Sequence, residues 1–433
     1  MNKKSIGILA YYWPPAGGSG VQRWLRFSNQ LCNLDWDVHV FTFSNPKYPI
    51  VDKHNLEIVN PKIKINKIKG FEFPQFLTKI SSQESVYYHV LSNKNSSLTA
   101  PFLRYDRLSQ GRYFYHMLRE LFLFPDARKF LINPTYKFLK KYYKENNLNT
   151  LITTGPPHSM HLAGMKLKQD IGVNWIADFR DPWSNFIQNK FLNKLESTKI
   201  KHENKENQVL KFSDAVLTTS KSLNNKFKKK NHNTFYTPSG FENFIKPEIH
   251  NKFRILYAGS MKEFQNPINL WAVLKELIES DNSFKNLVEI VLIGNIDKNI
   301  IENKEFRLLQ NTKIVSYLSK NNLDKEISIS ELLMVCSVNV EGSNDIIPGK
   351  FFHYLSSGKR ILGISNKGTD LENIIKETKS GMSFSYDNHT DLKNYIYKCF
   401  GDYKGGKVNN QKIDNKFLAS NIAIKIDKIV SKL

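Results

Sequence analysis

What most constrains this chain is an alternation that runs through it twice. Short, continuously apolar runs of strand length are separated by segments long enough for a helix. In the first half the runs read Ile6–Tyr11, Val38–Phe43, Thr150–Thr154, Trp175–Asp178 and Ala215–Thr219. In the second they read Arg254–Ala258, Val288–Ile293, Lys313–Ser316, Ser337–Val340 and Arg360–Gly363. Strands that are apolar on both faces belong to parallel sheets covered by helices on each side. Between the two series, Thr237–Lys252 carries Pro238, Gly240 and Pro247 without periodicity, which marks a hinge. The expected class is α/β: two facing, doubly wound Rossmann-like domains with an interdomain cleft. The expected divisions are residues 1–245, residues 246–412 and a C-terminal helix over 413–433. A chain of 433 residues suits two such domains.

Composition narrows the class. With 40% hydrophobic and 24% charged residues the chain is globular, and no apolar run approaches the ~20 residues of a membrane span. No cleavable signal peptide is expected. Cys32, Cys336 and Cys399 are widely spaced and odd in number, which fits a reducing cytoplasm better than a disulfide scaffold. The net charge of +23 is uneven: residues 1–245 hold 36 Lys and Arg against 18 Asp and Glu, and residues 246–433 hold 27 against 22. Nucleic acid, an anionic membrane surface or a phosphorylated substrate would each suit such a surface, as would plain solvation. Residues 71–135 break the alternation and are rich in aromatic and basic side chains. There the apolar positions from Tyr113 to Phe124 predict a helix with one greasy stripe, suited to the domain core or to an interface with lipid.

Chemistry concentrates where strands end. Tyr11–Gly20 follows the first strand, and Gly17, Gly18, Ser19 and Gly20 lead into a helix whose N-terminus suits a phosphate. The spacing is neither a dinucleotide fingerprint nor a Walker loop. After the third strand, Thr153–His161 presents His158 as a hydrogen-bonding group for a substrate; His158 and His161 alone are thin evidence for a metal. After the fourth, Asp178-Phe-Arg-Asp181 admits two readings: Arg180 pairs with a carboxylate to hold the loop, or Asp181 faces an incoming hydroxyl. In the second half Gly259 and Gly294 end strands, Lys262 is placed as a counter-charge to phosphate, and Pro348-Gly349-Lys350 opens a helix. A lysine in the first turn opposes the helix dipole unless an anion lies between.

In one order over most of the chain, these clusters resemble the family-4-type glycosyltransferases of the GT-B fold, of the kind that builds bacterial surface polysaccharides. The resemblance is carried by Trp13-Pro-Pro-Ala-Gly-Gly-Ser-Gly20, Phe124-Pro-Asp-Ala127, Thr154-Gly-Pro-Pro-His-Ser159, Asp178-Phe-Arg-Asp-Pro-Trp183, Tyr257-Ala-Gly-Ser260 and Ile347–Gly358. It implies transfer of a sugar from a nucleotide-diphosphate donor to a glycan or lipid-linked acceptor, with retention, without a metal or other cofactor and without specific nucleic-acid binding. The donor would lie on the second domain, against Gly259, Gly294, Asp345, Ile347, Gly349 and His353. Lys262, Lys350, the Gly17–Gly20 loop and His158 would meet the diphosphate and the reacting centre. The family's paired acidic motif falls on Asp345 and His353, so a histidine stands where a ribose-binding Glu is usual. Gln265 stands where related sequences carry Arg. A lipid-linked acceptor would place the enzyme in the cytoplasm, peripherally on the inner face of the plasma membrane. A nucleotide-sugar epimerase of the same fold and a basic nucleic-acid-binding protein are the alternatives; against the latter, no RRM, KH or double-stranded-RNA-binding pattern is present.

Overall fold

The computed structural model describes residues 4–72, 122–184, 195–340, 343–407, 411 and 413–433. Residues 73–121 of the aromatic-basic stretch, with most of its striped helix, lie outside the described residues. The chain divides into two compact units, Met1–Ser239 with Ala419–Leu433, and Gly240–Leu418.

The first unit is built on a parallel sheet of seven strands in the order β3-β2-β1-β4-β5-β6-β7. These are β1 (Ser5–Leu9), β2 (Asp37–Phe43), β3 (Lys64–Ile68), β4 (Thr150–Gly155), β5 (Asn174–Phe179), β6 (Ala215–Thr218) and β7 (Thr234–Tyr236). Side chains alternate between the two sheet faces. Ile6, Ile8 and Ala10 enter one buried cluster, while Leu9 and Tyr11 enter the other. Both faces are covered, which is why these strands read as unbroken apolar runs.

The second unit repeats the plan with six parallel strands ordered β10-β9-β8-β11-β12-β13. They are β8 (Phe253–Ala258), β9 (Val288–Ile293), β10 (Thr312–Val315), β11 (Leu332–Cys336), β12 (Arg360–Ile364) and β13 (Gly381–Phe384). Ser337–Val340 is therefore not a strand: the strand is the run before it, and Ser337 opens the loop beyond. Leu332–Cys336 is apolar at every position and runs straight into Ser337-Val-Asn-Val340, so the sequence does not show where the strand ends.

The units exchange chain ends. Gly240–Ile245 belong with the second unit rather than the first, tied by Phe241 N–H to the Phe417 carbonyl (2.9 Å) and Ile245 N–H to the Ser356 carbonyl (2.9 Å). The second unit runs on to Leu418, beyond the expected limit at 412. The last helix, Ala419–Val430, then rejoins the first unit, where Ile422 and Ile426 share a buried cluster with Trp24 and Phe27 of the helix Ser19–Asn33. Asp427 fastens it, accepting from Trp36 Nε1 at 3.0 Å and lying 3.2 Å from Lys4 Nζ. Each large apolar side chain so buried contributes about 1.5–3 kcal/mol.

Strand order fixes where ligands can go. In each sheet the first strand has its successors on both sides, so the order reverses between β1 and β4 and between β8 and β11. Loops leaving the carboxyl ends of such a strand pair diverge and open a crevice.

Candidate functional site

In the first unit the loops after β1, β4 and β5 converge on Arg180. Its guanidinium donates from Nη1 to the Gly20 carbonyl at 2.5 Å, and also to the carbonyls of Pro156 and Gly155. A Cβ on Gly20 would lie 3.1 Å from Arg180 Nη1, so the close approach favours glycine there. Gly18 has φ 80°, the left-handed region open to glycine, and is the N-cap of the helix Ser19–Asn33 with no side chain capping it. Gly17 N–H bonds to the Ile50 carbonyl at 2.9 Å.

The Asp–Arg–Asp cluster resolves into separate roles. Asp178 does not pair with Arg180. It is fully buried and takes Arg23 Nη2 at 2.6 Å, Trp24 Nε1 at 2.7 Å and Thr154 Oγ1 at 2.7 Å. Burial raises its carboxyl, but the Arg23 guanidinium and these donors outweigh that and hold it below the usual range. Asp178 therefore anchors the first helix to β5, and Arg180 holds loop carbonyls. Asp181 makes no hydrogen bond among the described residues; burial pushes its carboxyl up, opposed by the neighbouring Arg180.

His158 stacks face to face on Trp183, ring centroids 4.9 Å apart and planes at 1°. Neither of its ring nitrogens has a hydrogen-bond partner among the described residues. Burial, with the nearby His161, His202 and Arg180, pushes it well below the ordinary histidine value, so it is neutral at physiological pH. His161, by contrast, bonds to Thr153 Oγ1 through Nδ1 at 2.8 Å and lies inside the core. Among the described residues no group of three or more His, Cys, Asp or Glu is placed to hold a metal.

In the second unit the loops after β8 and β11 bring together Gly259 and Lys350, with Gly294 after β9 beside them. Gly259 (φ 117°) and Gly294 (φ 114°) both occupy backbone conformations that suit glycine, and a Cβ on Gly294 would come within 2.6 Å of the Gly259 carbonyl. Lys350 lies in the first turn of the helix Lys350–Leu355, capped by Gly349. That helix has only six residues, so its dipole is a minor factor, contrary to the weight the sequence placed on it. What matters is where the ammonium is held. Lys350 Nζ lies 3.5 Å from the centroid of the Tyr257 ring, shielded from solvent and without a hydrogen-bond partner among the described residues. Burial pushes it down to about 7, against the opposing influence of Cys336.

The remaining positions are placed less directly. His353 bonds through Nε2 to Asp324 Oδ1 at 2.6 Å, so its imidazole is already engaged with a carboxylate of the preceding helix. Gln265 receives the Lys262 N–H at 3.2 Å and donates to the Cys336 carbonyl at 3.2 Å, tying the loop after β8 to β11. Asp345 is buried, and Ile347 packs against the buried cluster that includes Phe351 and Phe352. The structure thus joins Gly20 with Arg180 and Gly259 with Lys350, while His353 turns to Asp324. Tyr257 and Trp183 entered the sequence reading only as members of motifs, and Arg23 and Asp324 not at all. Tyr257, two residues before Gly259 on a strand, carried a usable signal; the others meet their partners only across the fold.

No protein-family model matches the chain, and no curated protein sequence matches it. Solved structures do. TarM aligns over 98% of this chain and 98% of its own, with TM-score 0.62 and 11% identity. WaaG, a glycosyltransferase involved in lipopolysaccharide biosynthesis, aligns over 97% and 99%, with TM-score 0.52 and 10% identity. A UDP-N-acetylglucosamine 2-epimerase candidate from Listeria monocytogenes aligns over 99% and 96%, with TM-score 0.55 and 11% identity. The chain has the GT-B fold, that of glycosyltransferases with two Rossmann-like domains.

Proposed function

We propose that this chain is a glycosyltransferase that moves a sugar from a nucleotide-diphosphate donor to a glycan or lipid-linked acceptor in surface polysaccharide synthesis. The observation that carries the reading is the shielded, unpartnered ammonium of Lys350 beside Gly259, at the point where the strand order of the second sheet reverses. A cation there needs an anion, and Gly259, without a side chain, brings its backbone close to the ammonium. As the donor's glycosidic bond breaks, negative charge grows on the departing diphosphate. Lys350 and Lys262 would stabilise it, and in the first unit the uncapped helix that follows Gly18 offers N–H donors suited to an anion. His158, neutral and with both ring nitrogens unpartnered, would hydrogen-bond the donor sugar. Retention and independence from metal belong to this reading, as does reversible association with the inner face of the membrane. The likeness to WaaG supports it, and no helix among the described residues is long and apolar enough to cross a membrane.

The test is transfer of radiolabel from a panel of nucleotide sugars to a lipid extract of bacterial membranes. Label from one donor should move to the lipid fraction, with release of nucleoside diphosphate. Failure of every donor, with acceptor extracts from several sources, would contradict the reading.

A second reading has its own observation, the likeness to the Listeria epimerase candidate. It predicts a ManNAc-type product from UDP-N-acetylglucosamine with no acceptor present, which a transferase does not make.

A further inference from the structure

We propose that the second unit takes up a proton as it binds its anionic ligand, and that the proton is held by Lys350. The inference rests on the nucleotide-diphosphate reading and adds to it a coupling between donor binding and pH.

Two buried lysines lie nine residues apart and make the contrast. Lys359 Nζ donates to the Glu248 carbonyl at 2.9 Å and lies 3.2 Å from Glu331 Oε1, so its charge is satisfied within the fold. Lys350 Nζ has no acceptor of either kind among the described residues. Its surroundings are the face of Tyr257 and the backbone of Gly259, where a Cβ would come within 3.1 Å of the nitrogen.

Among the described residues, the titratable groups around it supply no negative charge near neutral pH. From β8 comes the Tyr257 phenol, whose hydroxyl donates to the Ser260 carbonyl at 2.6 Å. From β11 comes the Cys336 thiol, which burial pushes up to about 12. From its own helix come Tyr354, whose hydroxyl accepts the Ala258 N–H at 2.6 Å, and His353, engaged with Asp324. Burial holds both phenols protonated. An ammonium shut away from water with only a ring face for company is disfavoured against the free amine, and burial accordingly brings its titration down to about 7.

A diphosphate oxygen reverses that balance. It supplies the missing acceptor and the opposite charge, so the amine takes a proton from the solvent and donates it in a charge-assisted hydrogen bond. No covalent bond forms or breaks. The only change is the neutral amine plus one proton becoming an ammonium held against the anion. Above neutral pH, binding and protonation therefore rise and fall together.

The experiment is isothermal titration of the full chain with UDP, GDP, ADP and dTDP at pH 8.0, in Tris and in HEPES. These buffers differ in heat of ionisation, and the difference in observed heat counts protons. With the free amine titrating near 7, about 0.9 proton should be taken up per nucleotide at pH 8.0 and about 0.5 at pH 7.0. The affinity should weaken roughly tenfold between pH 8 and pH 9. Lys350→Arg, permanently charged, should bind without proton uptake, and Lys350→Met should bind more weakly and also without it. Binding with the same heat in both buffers would overturn this inference and leave the functional reading standing. So would an uptake that survives in Lys350→Met. No binding of any of the four nucleotides would overturn the functional reading and this inference with it.

Discussion

Lys350 Nζ lies 3.5 Å from the centroid of the Tyr257 ring and has no other polar partner among the described residues. A cation over an aromatic face gains about 0.5–2 kcal/mol, less than the several kcal/mol that burying an ion costs. The position is therefore maintained at the expense of stability, as functional sites commonly are.

The first prediction tests that expense. In the unfolded chain a lysine titrates near ~10.4, and in the folded chain Lys350 titrates at about 7. Between those values the unfolded state holds a proton that the folded state lacks, so this residue's contribution to stability rises with pH. Below about 7 both states are protonated and the penalty is constant. Lys350→Met should unfold a few degrees above the parent at pH 7, with the gap narrowing by pH 9.5 in thermal scans. A variant less stable than the parent at pH 7 would contradict the assignment.

Arg23 and Asp178 form the buried pair that joins the first helix to β5. Removing one partner strands the other charge, so Asp178→Asn or Arg23→Met should each cost about 3–5 kcal/mol in urea unfolding. The double variant should cost less than the two together, because it leaves no lone charge. The pair holds Asp178 low, so its contribution is present above the unfolded carboxylate value and lost as pH falls through the folded one.

His158 should show no titration of its own in a pH–rate profile between the ordinary histidine value and pH 8, since burial pushes it well below that ordinary value. His158→Phe preserves the stack on Trp183 and removes both nitrogens. Turnover should fall about 10–100-fold while thermal stability stays near the parent's, which separates a substrate contact from a packing role. Equal turnover would take His158 out of the site.

At position 353 the structure changes what a substitution should do. Resemblance alone favours Glu there as a ribose ligand. With the imidazole 2.6 Å from Asp324, Glu would set two carboxylates together. His353→Glu should therefore destabilise the chain by about 1–2 kcal/mol, and His353→Gln should be milder. Denaturant titration of the two variants checks the order.

How far the sequence was legible follows from the kind of pattern each element leaves. β1, β2, β4, β5, β8 and β9 are buried on both faces and stand out as apolar runs between helices. β3, reading Lys-Ile-Asn-Lys-Ile, is an edge strand with exposed lysines, and β7 has three residues. Neither carries enough apolar sequence to be seen. The site's glycines were readable because they sit at strand ends. Partners were not: Arg180 suggested a pair with a neighbouring carboxylate, whereas the fold pairs Asp178 with Arg23, 155 positions earlier, and turns Arg180 to loop carbonyls. Gln265 read as a missing charge, but its amide bridges two backbone groups where an arginine has no acceptor to offer Lys262 N–H.

Membrane association is a separate expectation, drawn from the 36 basic against 18 acidic residues over 1–245. The full chain should sediment with anionic liposomes at low salt, less at physiological salt, and little with neutral ones. Equal, negligible binding to both vesicle types would remove the membrane from the account and leave the transferase reading intact.

The most direct test of the central claim is thermal unfolding of the parent and Lys350→Ala side by side, each with a panel of nucleoside-diphosphate sugars. The account predicts that one nucleotide class raises the parent's midpoint by several degrees at a concentration near 100 times its Kd, where binding adds about 2.7 kcal/mol. The same ligand should leave Lys350→Ala nearly unshifted. Equal shifts in both proteins, or none in the parent across the panel, would contradict it.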